Sequence, residues 1–64
     1  MIEIGKYNTL RVNRFVDFGC YLGDGDGREV LLPKRYLTGR EQEGDEIEVF
    51  VYNDSENRPV ATTE

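Results

Sequence analysis

The sequence contains no histidine, no tryptophan, one cysteine and two prolines. It also lacks any apolar run long enough to cross a bilayer, which takes about 20 residues. Each absence excludes something. Without histidine, no side chain has an ordinary pKa suited to proton transfer near neutral pH. No base stands beside Cys20 to activate its thiol, and the carboxylates fall on turns and polar stretches, where solvated charge is the usual state. The chain therefore reads as a non-enzyme, with neither a cofactor nor a catalytic metal. A lone cysteine cannot close an internal disulfide, which fits a reducing compartment and makes the cytoplasm the expected location. The start of the chain carries Glu3 and Lys6, unlike a signal peptide, and no membrane partner is expected.

What is present sets a small scale. At 64 residues, 38% of them hydrophobic, the chain makes one domain with a modest core. A domain of this size buries only about 60% of the surface its unfolded chain exposes. A closed barrel suits it, because closure removes exposed strand edges. The net charge is -5, from 13 acidic and 8 basic residues. A dedicated duplex-DNA binder carries the opposite balance. The acids are concentrated, however, at Asp24 and Asp26 and again at Glu41, Glu43, Asp45, Glu46 and Glu48. Arg11, Arg14, Arg28, Lys34, Arg35 and Arg58 lie in or beside segments expected to share a face, leaving a local basic patch on an acidic body.

The rest of the chain is organised around residues 16–22, Val-Asp-Phe-Gly-Cys-Tyr-Leu. The composition is that of a strand, but Gly19 sits in its middle. A glycine there marks a bulge or the close approach of another backbone. A bulge would let Phe18 and Tyr21 present their rings on one face. The pair then serves either as part of a small core or as a platform on which unpaired bases stack. Cys20, between them, is most simply a small packing residue.

Periodicity supplies the other elements. Residues 1–5 alternate as a lead-in, with the character of a short strand. Residues 9–16 form a first long strand with Leu10 and Val12 on one face and Arg11 and Asn13 on the other. Asp17 breaks it from the aromatic strand at 18–22. The Gly23-Asp24-Gly25-Asp26-Gly27 run is a turn, and residues 29–32 return as a third strand. Pro33 stops that strand, and residues 34–37 make one helical turn whose Tyr36 and Leu37 can plug a barrel end. Residues 46–52 form the clearest strand, with Ile47, Val49 and Val51 inward. A turn at 53–57 leads to a last strand at 58–63, which Pro59 places at an edge. The expected core is Leu10, Val12, Leu22, Val30, Ile47, Val49 and Val51. The expected fold is all-β: a five-stranded antiparallel barrel, with a short helical turn between strands 3 and 4, in the element order of an OB-fold.

The aspartate-glycine turn does not make a calcium loop. Counted from Asp24, the fifth, sixth and twelfth positions are Arg28, Glu29 and Arg35, where an EF-hand needs an oxygen ligand, glycine and glutamate. It reads as a plain hairpin turn.

These residues carry a family resemblance. The series Leu10-x-Val12, Val16-Asp17-Phe18-Gly19-x-Tyr21-Leu22, a glycine-rich turn, Glu29-Val30-Leu31-Leu32, Gly44-Asp45-x-Ile47-x-Val49-x-Val51 and Asp54-x-x-x-Arg58 resembles the S1 RNA-binding domain over nearly the whole chain. Residues 4–10, residues 31–36 and the Ala61-Thr62-Thr63 ending look like the first domain of the conserved virulence factor B family. Those are longer bacterial RNA-binding proteins with several such domains, so the resemblance implies that residues 1–64 are the N-terminal piece of a multidomain chain. It also implies roles. Phe18 and Tyr21 stack nucleobases, and Asp54 and Arg58 flank the same face. Lys34 stands next to the place, at Leu32 or Pro33, of a histidine common in the family. Arg14, Lys34 and Arg58 supply positive charge.

Two functions of different class follow. In the first, the domain binds single-stranded RNA weakly, by stacking plus a small basic patch, and gains avidity from sister domains. In the second, it is a protein-interaction or structural module with little RNA binding of its own, making ribosome or protein contacts through the full-length chain.

Overall fold

Period-two alternation of apolar and polar side chains produces one curved sheet that closes on itself. In the computed structural model, which describes residues 2–64, β1 spans Lys6–Val16, β2 Gly19–Gly23, β3 Glu29–Pro33, β4 Glu46–Asn53 and β5 Pro59–Thr62. A 3-10 turn at Lys34–Tyr36 follows β3 and is the helical element among the described residues. Met1, the first residue of the expected lead-in, lies outside the described residues. Residues 2–5 form no strand, although Ile2 is buried against the barrel.

The order around the barrel is β1-β2-β3-β5-β4, with β4 closing onto β1. The all-β barrel and its single turn after the third strand are as expected from the sequence. The purely antiparallel sheet is not. β3 and β5 run parallel, with Leu31 opposite Val60, while the other four pairings are antiparallel. The reason is topological: strand direction cannot alternate all the way round a closed ring with an odd number of members.

Three boundaries also shift. β1 begins at Lys6 rather than at residue 9, because its first half has a full partner in β4, from Lys6 opposite Val51 to Arg11 opposite Glu46. Phe18 is not in β2. Val16 pairs with Gly19, so Asp17 and Phe18 form the two-residue tip of the β1–β2 hairpin. β5 is the shorter stretch Pro59–Thr62.

The interior is lined by Ile2, Leu10, Val12, Cys20, Leu22, Val30, Leu32, Val49, Val51 and Ala61. Fully burying a valine or leucine side chain contributes about 1.5–3 kcal/mol each, so this cluster is the main stabilising term. Ile47, expected inside, is only half-buried and packs against the cluster's margin. It stands opposite buried Leu10, one rung from the start of β4. Tyr36 and Leu37 pack on the core from the 3-10 turn, as a plug would. Cys20 is fully buried, and that burial, together with the Glu41 carboxylate, pushes its thiol pKa up.

The irregularity that the sequence suggests at Gly19 lies elsewhere. Val12 faces Leu22 and Arg14 faces Tyr21, so the extra residue is Asn13, in β1. Gly19 answers the other meaning of a strand glycine. A Cβ there would collide with the Leu32 carbonyl oxygen and come within 3.1 Å of the Lys34 nitrogen, at a φ of +153°.

Candidate nucleic-acid interface

The residues singled out by the sequence lie at the β1–β2 hairpin tip (Phe18), on β1 (Arg14) and β2 (Tyr21), at the start of the 3-10 turn (Lys34) and in the β4–β5 turn (Asp54 and Arg58). Phe18 projects from the tip with 57% of its surface exposed. Its ring meets that of Tyr21 edge-on, with centroids 6.4 Å apart and planes at 84°. The tip is held in place because the Phe18 carbonyl accepts the Lys34 backbone N–H at 3.0 Å. Tyr21 is half-buried at the centre of β2 and points outward, since its neighbours Cys20 and Leu22 fill the core.

Strand register extends this aromatic pair into a row. Tyr21 stands opposite Leu31, Leu31 opposite Val60, and Val60 opposite Tyr52. Register partners share a face, so half-buried Leu31, Val60 and Tyr52 continue the outer surface sideways from Tyr21. At the other end of the row, Arg14 stands opposite Tyr21 and lays its guanidinium carbon 4.3 Å from the ring centroid. The same guanidinium pairs with Glu29 at 3.3 Å.

Asp54 and Arg58 come together in the turn before β5. Asp54 Oδ1 accepts the backbone N–H groups of Glu56 and Arg58, each at 2.9 Å. Oδ2 accepts from Arg58 Nε at 3.2 Å and lies 3.1 Å from Nη2. The Arg58 backbone N–H, then the Glu56 N–H and the Arg58 side chain, hold the Asp54 carboxyl below the usual carboxylate range. A carboxylate four residues before an arginine thus fixes both the turn and the arginine's direction.

Lys34 and Arg58 lie towards opposite ends of β3. Lys34 follows Pro33, which pairs with Gly19, whereas Arg58 comes two residues before Val60, the partner of Leu31. Arg58 is thus level with Glu29, five residues before Lys34, and at about 3.3 Å per residue their levels differ by roughly 16 Å, with Tyr21 near the middle. The structure brings Phe18, Tyr21 and Arg14 into contact, and Asp54 with Arg58. It joins Lys34 to Phe18 through the backbone, but it does not gather all six around one ring. The Lys34 side chain lines a shallow groove of about 540 Å³ with Phe15, Leu37, Thr38, Gly39 and Glu41.

Charge is only partly matched within the domain. Arg11 pairs with Glu46, Arg14 with Glu29, and Arg58 with Asp54 and more loosely with Glu56. Among the described residues no carboxylate oxygen lies within 4.0 Å of the Lys34, Arg28 or Arg40 charged groups. Sequence reasoning missed Glu29, the carboxylate beside the aromatic pair, and the apolar row of Leu31, Val60 and Tyr52. Strand pairing is the only signal for either, and it is not local in the sequence.

A family model described as the S1 domain matches residues 4–64. A protein of Bacillus subtilis (strain 168) called "Uncharacterized protein YitL" is 38% identical over 58 residues, covering 91% of this chain and 19% of its own length. Among solved structures, "a multidomain protein with nucleic acid binding domains" from Streptococcus pneumoniae TIGR4 superposes with a TM-score of 0.80. The identity is 21%, over 95% of this chain and 20% of that one. The chain thus spans about a fifth of the length of these relatives.

Proposed function

The chain belongs to the S1 domain family, and from that premise we propose that it is a module for weak binding of single-stranded RNA. It works beside further domains in a longer bacterial RNA-binding or regulatory protein, similar to the conserved virulence factor B family. The observation that carries this reading is the exposed Phe18 ring in edge contact with outward-facing Tyr21. Phe18 is a large aromatic left 57% exposed at a hairpin tip whose backbone is tied to the Lys34 N–H, so most of its ring is open to a ligand. Base–aromatic stacking is tolerant of sequence and worth about 1–3 kcal/mol per base.

The remaining roles follow from chemistry. Lys34 approaches from the end of β3 and Arg58 from the other end, so a strand laid along Phe18 and Tyr21 meets a cation at each side. Asp54 holds the Arg58 guanidinium through its Oδ2. Arg14, beside Tyr21, supplies a third cation. Weak single-domain binding is consistent with the net charge of -5, and tandem domains would raise the overall affinity through effective concentration. The streptococcal relative is described as carrying nucleic acid binding domains, which supports the same class of ligand for this chain.

One feature favours the second reading, a protein-interaction or structural module: Arg14 and Arg58 already have carboxylate partners. An amide chemical-shift titration with short RNA oligonucleotides at low salt separates the two. Shifts clustered on residues 17–22, 34 and 54–58 support RNA binding, and an unperturbed spectrum supports the protein-contact module.

A further inference from the structure

Resting on the RNA-binding reading above, we infer that Tyr21 is masked in the free domain by Arg14, and that Glu29 competes with nucleic-acid phosphate for that arginine. The masking begins in the bulge. Because Asn13 is the extra residue, Arg14 falls directly opposite Tyr21 on the outer face instead of turning to the core. Gly23 leaves the space that the Asn13 amide occupies: a Cβ at that glycine would collide with the amide nitrogen.

Asn13 Nδ2 then donates to Glu29 Oε2 at 3.1 Å, and Arg14 Nη2 donates to Glu29 Oε1 at 3.3 Å. Each carboxylate oxygen is engaged by a different donor, so Glu29 is fixed and fixes Arg14 in turn. These two donors also hold the Glu29 carboxyl below its ordinary pKa, keeping it charged. The guanidinium, a flat cation 4.3 Å from the Tyr21 centroid, occupies one of the two faces a base could use. Phe18 approaches edge-on. A stacking base and the guanidinium cannot both occupy the same ring face.

A bound strand resolves the conflict by exchange. A phosphate oxygen replaces Glu29 as the acceptor for Arg14, the guanidinium leaves the ring, and the base takes the vacated face. Glu29 is left with Asn13. The carboxylate therefore weakens binding twice, by retaining Arg14 and by repelling the phosphate.

The test measures anisotropy of a fluorescently labelled oligouridylate of about ten nucleotides, within the usual span of an OB-fold. Glu29→Gln should bind about two- to fivefold more tightly than wild type, the scale of an exposed ion pair. Glu48→Gln, an equal charge change on another outer face, controls for net charge and should give less. In parallel, the Arg14 side-chain Nε–H resonance should be ring-current shifted in the free protein. It should lose that shift in Tyr21→Ala and on saturation with the oligonucleotide. An affinity for Glu29→Gln no tighter than for Glu48→Gln, or an Arg14 resonance still ring-shifted at saturation, overturns the inference while leaving RNA binding intact. No binding by either wild type or Glu29→Gln overturns the inference together with the reading beneath it.

Discussion

The backbone N–H of Lys34 donates to the carbonyl of Phe18 at 3.0 Å, tying the tip of the β1–β2 hairpin to the start of the 3-10 turn. Gly19 opens β2 at this junction, opposite Pro33 of β3. Any side chain there would meet the Leu32 carbonyl, and the residue's φ of +153° disfavours side chains as well. Backbone cannot move aside as a flexible side chain would.

Gly19→Ala should therefore destabilise the domain by more than about 2 kcal/mol, combining a steric clash with conformational strain. Thermal unfolding followed by circular dichroism measures this. An unchanged midpoint would show that β2 and β3 can separate at no cost.

The sequence conveys what is local and periodic. Val49 and Val51 alternate into the core as they should. The Asn-Asp-Ser-Glu-Asn run marks the turn at 53–57 by composition, and the resemblance to the S1 domain puts Asp54 and Arg58 at that turn. Gly19 reveals the close approach of β3. What it conveys poorly depends on pairing across the chain. The bulge falls on Asn13, which carries no glycine signal and is held by Glu29, 16 residues away. Phe18 reads as a strand residue by composition but sits in the hairpin tip, because pairing of Val16 with Gly19 decides where the strand ends. Parallel β3 and β5 follow from closure of five strands, which no single segment encodes.

Acid should loosen the domain through specific carboxylates. Asp54 is held below the usual range chiefly by the Arg58 backbone N–H, Glu41 by the Thr38 N–H, and Glu29 by the Asn13 amide. A carboxyl whose folded pKa lies below its unfolded value stabilises the fold above the unfolded pKa and loses that contribution as pH falls through the folded one. The unfolding midpoint should stay level from neutral pH down to the ordinary carboxylate range and decline below it. Asp54→Asn should lower the midpoint at neutral pH and make the acid decline shallower. An equally steep decline in the variant would remove Asp54 from the account.

RNA affinity should fall with salt, but gently. If Arg14, Lys34 and Arg58 each meet a phosphate, about three contacts at roughly -0.7 each give a log–log slope near -2. Anisotropy titrations across a range of salt concentrations measure it. A slope near zero would favour the protein-contact module.

The central claim is that Phe18 and Tyr21 form a working surface rather than part of the core. It is tested most directly by measuring RNA binding and thermal unfolding together for Phe18→Ala and Tyr21→Ala. Each ring removed should cost about 1–3 kcal/mol of binding, enough to take a weak affinity below detection when both are lost. Phe18→Ala should leave unfolding nearly unchanged, and Tyr21→Ala should cost less than the roughly 3–5 kcal/mol of a core aromatic. Collapse of the fold in either variant, or full retention of RNA binding with the fold intact, would contradict the claim.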